Sequence, residues 1–157
     1  MQKITPFLWF NNDAEEAVEF YRSIFKNSKT NRVARYGSAG PGPAGSVMTI
    51  EFELEGLLFT ALNGGPEFKF NESVSFVVNC ETQAEVDEYW EKLSAGGATN
   101  VCGWLKDKYG LSWQITPTIL LKYVSDPDPV RSQRVMKAMM EMTKIDIAKI
   151  QQAYDAK

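Results

Sequence analysis

Whatever chemistry this chain performs, it performs without imidazole, because the sequence contains no histidine. Few other groups stand out as able to move a proton or hold a metal. Cys80 and Cys102 lack CxxC spacing and fall in segments that read as strands, the pattern of buried free thiols in a reducing cytoplasm. A catalytic thiolate stays open, but it would lack its usual histidine partner. Glu51 could act as a general base if burial raised its pKa; a solvated hairpin carboxylate is the plainer reading. Lys69 and Lys106 read as solvated charges before catalytic amines. The run Gly40-Pro41-Gly42-Pro43-Ala44-Gly45 has glycines suited to a nucleotide-binding turn. It leads into a strand, however, so no helix N-terminus follows to receive a cofactor.

The elements that must position these groups come in two copies. Asp13-Ala14-Glu15-Glu16-Ala17 and Thr82-Gln83-Ala84-Glu85-Val86 stand sixty-nine positions apart. Each opens with an N-cap type residue followed three positions later by Glu, the spacing of a capping box. Each continues into an apolar stripe at helical spacing, through Phe20, Tyr21 and Ile24 in the first copy and Tyr89, Trp90 and Leu93 in the second. Helices are therefore expected from Asp13 to about Lys26 and over residues 82–95.

Strands are expected at 3–10, 29–36, 46–54 and 57–62 in the first unit. The second unit adds 73–80, a short or bent strand within 98–106, and 111–116. In Ser46–Leu54, Met48, Ile50, Phe52 and Leu54 alternate with Thr49, Glu51 and Glu53, so one face is buried. Glu55-Gly56 makes a hairpin turn. By the same alternation Val74, Phe76, Val78 and Cys80 should pack under the second helix, with Ser73, Ser75 and Asn79 facing away. Beyond residue 118, Asp128-Pro129 opens one amphipathic helix with Val135, Met139 and Met142 on its stripe. Asp146 caps another, stapled by Ile145 and Ile150. These helices pack on the main body or on a partner subunit; the sequence leaves both open.

The fold class is accordingly α+β, with tandem βαβββ modules whose curved mixed sheets surround a cleft and a helical C-terminal tail. One domain spans 1–117 (module one 1–66, module two 67–117), and the extension occupies 118–157. A net charge of −3 and a pI near 5.1 argue against a nucleic-acid or anionic-membrane surface. No run approaches the roughly 18 apolar residues of a membrane span, and the start of the chain is not a signal peptide, so a cytoplasmic location is expected.

Several motifs in register resemble the vicinal oxygen chelate superfamily of glyoxalases, extradiol dioxygenases and bleomycin-resistance proteins, and within it the PhnB-like proteins. They are Ile4-Thr5-Pro6-Phe7-Leu8, Ala14-Glu15-Glu16-Ala17 through Phe20-Tyr21, Ala61-Leu62-Asn63-Gly64-Gly65-Pro66, Cys102-Gly103-Trp104-Leu105-Lys106-Asp107, and Gly110-Leu111-Ser112-Trp113-Gln114. Such proteins often carry the family label 3-demethylubiquinone-9 3-methyltransferase. The resemblance implies a homodimer and a cleft in which four strands each offer one metal ligand. Carried over by motif, those positions are Ile4, Thr60, Ser73 and Gln114. Ile offers no lone pair and the others only weak neutral oxygens, so no metal and no cofactor are expected. An oxygen-only ion site using Glu51 or Asp107 stays open.

Strand parity then sets Thr49, Glu51, Thr60 and Leu62 of the first unit, and Ser73, Ser75 and Gln114 of the second, toward the cleft. Asn63 could donate to a ligand, although a linker turn is the plainer reading; Trp9, Trp104, Phe68 and Phe70 could line the mouth. The ligand-binding candidates are thus Glu51, Thr60, Leu62, Asn63, Ser73, Ser75, Trp104 and Gln114. The reading is a metal-free protein that binds a small molecule of unknown identity, with any reaction left open. The alternatives are a metal-dependent lyase or dioxygenase with atypical ligands, and an interaction protein using Met136, Met139, Met140 and Met142. A methyltransferase ranks last.

Overall fold

The structure, a computed structural model, describes residues 2–156 and divides into two compact units, Met1–Phe70 and Asn71–Lys157. The first contains β1 (Phe7–Phe10), α1 (Ala14–Ile24), β2 (Ser28–Arg35), β3 (Val47–Leu54) and β4 (Leu57–Asn63). They form one four-stranded sheet in the order β1-β4-β3-β2, with β1 parallel to β4 and the other pairs antiparallel. The second unit contains β5 (Ser75–Cys80), α2 (Gln83–Ser94), β6 (Ala98–Thr99), β7 (Trp104–Lys106) and β8 (Ser112–Pro117). Its sheet repeats the same connectivity in the order β5-β8-β7-β6. The chain is therefore α+β, built from two βαβββ units. The short strand expected in the second unit is β6, with two residues.

Each helix covers one face of its own sheet. In the first unit the buried Tyr21 of α1 stacks on Phe52, which stacks in turn on its cross-strand partner Phe59. Ile50, Leu54 and Ala61 complete that apolar layer. The expected alternation in β3 fails at one point. Val47 is buried and Met48 is only partly covered, because pairing to β2 jumps from Ala34↔Thr49 to Arg35↔Val47. Met48 is the extra residue of a β-bulge, and a bulge reverses which side chains face inward. Glu55 and Gly56, both with positive φ, make the two-residue turn joining β3 to β4.

In the second unit Val86 and Leu93 of α2 are buried, with Val78, Cys80, Leu105, Trp113 and Ile115 supplied by the strands. Val74, expected in this layer, is 63% exposed. The strand begins only at Ser75, so Val74 lies in the preceding turn and its alternation has no sheet to act on.

The expected capping box is half formed in the second copy and absent from the first. Thr82 accepts from Glu85 N–H (3.2 Å), while the Glu85 carboxylate accepts from Glu81 N–H (2.6 Å) rather than from the cap residue itself. Asp13 makes no side-chain cap bond. Its place is taken by Asn63, whose Oδ1 accepts from Ala14 N–H at 2.9 Å.

The tail packs on the second unit of its own chain. Three helices, α3 (Thr118–Val124), α4 (Pro129–Met140) and α5 (Ile147–Asp155), enclose a cluster of Leu120, Tyr123, Val135, Ile145 and Ile150. Asp128 and Asp146 cap α4 and α5 as their positions suggest. Cys102 N–H and Gly103 N–H donate to Met142 O and Thr143 O, both at 2.8 Å. Gln83 binds Ile145 O and Ile147 N–H, and Lys144 pairs with Asp87. Met139 and Met142 join the tail core, whereas Met136 and Met140 remain exposed. Among the described residues no helix is long and apolar enough to cross a membrane.

Candidate functional site

The sheet face turned away from the helix is where each unit can meet a ligand, because the other face is filled by apolar packing. In the first unit this face carries the cross-strand pairs Glu51↔Thr60, Thr49↔Leu62, Phe7↔Thr60 and Trp9↔Leu62. Glu51, Thr60 and Leu62 are thus neighbours on one surface and each is half-buried. Glu51 is held by Arg32 of the edge strand β2 at 2.8 Å, which makes it an ion-paired hairpin carboxylate. Trp9 donates to Gly65 O (2.9 Å) and meets Phe68 edge-on at 4.8 Å. Its indole lies so close over Gly64 that a Cβ there would stand 2.3 Å away.

Asn63 does not belong to this surface. It continues the Phe59–Ala61 side of β4, beneath α1, and is buried. Beside the bond from Ala14, its Nδ2 donates to Glu15 Oε2 (2.8 Å) and to Val47 O (3.1 Å). With donors and acceptor committed, Asn63 is a helix cap rather than a ligand donor. Tyr36 Oη donates to its carbonyl oxygen at 2.7 Å and fixes the backbone as well.

In the second unit the corresponding face carries two rows. Ser75, Ser112 and Lys106 are directly paired across β5, β8 and β7, and Val77, Gln114 and Trp104 form the next row. Gln114 Nε2 donates to Ser75 Oγ at 2.8 Å, linking the rows diagonally. Three of the sequence candidates, Ser75, Trp104 and Gln114, therefore meet here. Ser73 does not: it is exposed in the turn before β5, with its hydroxyl on Asn71 Oδ1.

Beside this face lies a cavity of about 190 Å3 lined by Glu72, Ala98, Thr99, Asn100, Trp104, Leu105, Lys106 and Ser112. Lys106 forms an ion pair with Glu72, and that hydrogen bond holds the Glu72 carboxyl below its ordinary range. Ser112 is fully buried, yet its Oγ has no hydrogen-bond partner. Sequence reasoning passed over Ser112, although the parity that selected Gln114 sets Ser112 two residues earlier on the same face.

Asp107 offers no ion site. Its carboxylate accepts from Tyr109 N–H (2.9 Å), Leu111 N–H (3.1 Å) and the Trp113 indole N–H (2.9 Å), which closes the loop between β7 and β8. The four positions that would hold a metal do not fit one either. Ile4 is 85% exposed outside any strand, Thr60 in β4 offers one neutral hydroxyl, Ser73 is bound to Asn71, and Gln114 is bound to Ser75. Among the described residues no three His, Cys, Asp or Glu side chains cluster as a metal site.

Two repeated units of this topology, with these motifs on β1, β4 and β8, are matched by the model of the 3-demethylubiquinone-9 3-methyltransferase family over residues 2–116. The chain belongs to that family. The PhnB protein of Bacillus cereus, whose name assigns it to the same class, is 40% identical over 74% of this chain and 100% of its own, with a TM-score of 0.68. A Pseudomonas aeruginosa protein is 20% identical over 74% and 98%, with a TM-score of 0.61. The fosfomycin resistance protein FosX of Listeria monocytogenes is 17% identical over 80% and 98%, with a TM-score of 0.58. These last two share the fold with this chain. No match to a curated protein is found.

The structure of this PhnB-like chain bears on the family name. Gly37–Gly45 forms turns folded over Tyr36 and runs into β3, not into a helix. Helices α1 and α2 begin after Asn12-Asp13 and Glu81-Thr82, without a glycine-rich turn. In each sheet the two strands joined by the helix, β1 and β2 or β5 and β6, stand at opposite edges, so no helix connects adjacent parallel strands. The cradle that a dinucleotide-type site for S-adenosylmethionine requires is not built from these residues.

Proposed function

We propose that this PhnB-like protein binds a small organic molecule on the open sheet face of its second unit and orients it with neutral hydrogen-bonding groups, without a metal. The observation that carries this reading is the Gln114–Ser75 bond. Gln114 stands where, by family resemblance, a metal-binding relative would need a carboxylate, and a neutral amide oxygen binds divalent transition metals poorly. Trp104 supplies an aromatic wall one pair away, and the adjoining cavity supplies enclosed volume. Convergent polar groups beside apolar walls are the makeup of a small-molecule site. Glu51, Thr60 and Leu62 form a similar, half-buried surface in the first unit and are proposed as secondary contacts.

The protein is further proposed to be a cytoplasmic homodimer. Family resemblance supports the dimer, as do exposed apolar residues on the edge strands, Phe7 on β1 and Val77 on β5. Free thiols at Cys80 and Cys102 support the compartment. Light scattering at twice the chain mass is the expected result for the dimer, and a monomer refutes it.

The binding reading is tested on protein purified without added metal. Its metal content is measured alongside native mass spectra taken against a panel of small metabolites. Substoichiometric metal and at least one bound metabolite, weakened by Gln114→Ala, are expected. Stoichiometric metal whose chelation abolishes binding would overturn the metal-free reading.

A further inference from the structure

The cavity beside Trp104 is rich in donors and poor in free acceptors. Asn100 Oδ1 already accepts from Val101 N–H at 2.8 Å, which fixes the amide orientation and leaves its Nδ2 group to donate. Lys106 brings an ammonium. Ser112 brings a hydroxyl that is wholly buried and unpartnered. A buried hydroxyl without a partner carries a desolvation cost that packing does not return, so its presence calls for an explanation. The single anion on the lining is Glu72. It is 58% exposed and held by Lys106 and by a bond to its own backbone, so it can turn into water at little cost.

We propose that this cavity takes a small planar carboxylate, its ring against Trp104 and its carboxylate on Lys106 and the Ser112 hydroxyl, with Asn100 as a further donor. This rests on the small-molecule reading above and names its ligand class. The incoming carboxylate replaces Glu72 on Lys106, exchanging one charge-assisted bond for another, and gains the Ser112 bond that Glu72 does not make. Size agrees, since about 190 Å3 falls below the roughly 300–1,000 Å3 of sites for drug-sized molecules. One ring with one anionic group fits that space.

The test is a nitrogen-15 NMR titration of the full chain with three probes of similar shape: benzoate, benzyl alcohol and benzylamine. Benzoate should shift the backbone amides of Trp104, Lys106 and Ser112, and bind more tightly than either other probe. Lys106→Met should weaken benzoate by roughly 10–100-fold, the range for a charge-assisted bond. Glu72→Gln should tighten it by removing the competitor. Ser112→Ala should weaken benzoate while leaving the melting temperature unchanged or higher, because an orphaned hydroxyl is removed. Equal binding of benzyl alcohol or benzylamine at these amides overturns the carboxylate assignment and leaves the small-molecule reading standing. So does indifference to Lys106→Met. A metabolite that binds the Gln114–Ser75 surface while no probe shifts the cavity amides overturns the subsite alone. A lower melting temperature for Ser112→Ala shows the hydroxyl to be structural and also overturns the proposal.

Discussion

Replacing Asn63 by Ala should be among the most damaging single changes in the first unit, although the residue stands outside both helices. The side chain satisfies three groups at once: Ala14 N–H at 2.9 Å, Val47 O at 3.1 Å and the Glu15 carboxylate at 2.8 Å. Ala14 is fully buried and Val47 nearly so, so water cannot replace the lost amide at either. Each buried group left unsatisfied costs about 1–3 kcal/mol, and loss of a helix cap alone costs about 0.5–2. Because the cap bond and the Ala14 group are the same interaction, they count once. The Glu15 bond is discounted for its partial exposure. The expected loss is therefore about 2–6 kcal/mol. In urea this appears as a midpoint lower by about 1–3 M, for a slope of about 2 kcal/mol per M, the middle of the usual range. Asp13→Ala is the matched control and should cost less than about 0.5 kcal/mol, since Asp13 makes no cap bond. Asn63→Asp keeps an acceptor for Ala14 but turns an oxygen toward Val47 O and Glu15. The new carboxyl should have a raised folded-state pKa, so the variant should regain stability as pH falls below about 5. A loss below 0.5 kcal/mol for Asn63→Ala, or an equal loss for Asp13→Ala, would refute the capping assignment.

Other expectations follow from the same packing. Thr82→Ala should cost about 1 kcal/mol in urea unfolding, because in the second copy the box residue does cap its helix. Ile145→Ala, which empties the centre of the tail cluster, should cost about 2–5 kcal/mol and increase amide exchange in α5. A thiol reagent at pH 8 should modify Cys102 in the native protein and Cys80 only in denaturant. Burial, reinforced by Glu85 and Glu81, pushes the Cys80 thiol up to about 12. Its folded-state pKa is raised, so the stability tied to the neutral thiol is intact below about 9 and is lost as pH rises toward about 12. Native labelling of Cys80 would contradict this.

The parts of the fold legible in the sequence were those set by local periodicity. Both repeat helices, the Glu55-Gly56 turn and the caps at Asp128 and Asp146 come from spacing and residue type alone, and the structure has them. What escaped depends on partners distant in sequence. Nothing near Asp13 shows that Ala14 takes its cap from a residue 49 positions away. Met48 reads as an inward residue until pairing with β2 inserts the bulge. Helix α3 is not legible in the sequence because it opens directly off β8 at Pro117, without a capping side chain, and Ile119-Leu120-Leu121 reads equally well as strand. At the candidate site, alternation placed Ser75 and Gln114 on one face, but only the register shows that they bond to each other. Ser112 was legible by that same alternation. Its lack of a partner, which gives it meaning, is a property of the packed structure.

The most direct test of the account is a crystal structure of the full chain soaked with a metabolite that binds it in solution. The account predicts ordered density on the open face of β5, β7 and β8, within hydrogen-bonding distance of Ser75 or Gln114, with no metal ion between ligand and protein. Density confined to another surface, or a ligand held through a metal coordinated by native side chains, would contradict it.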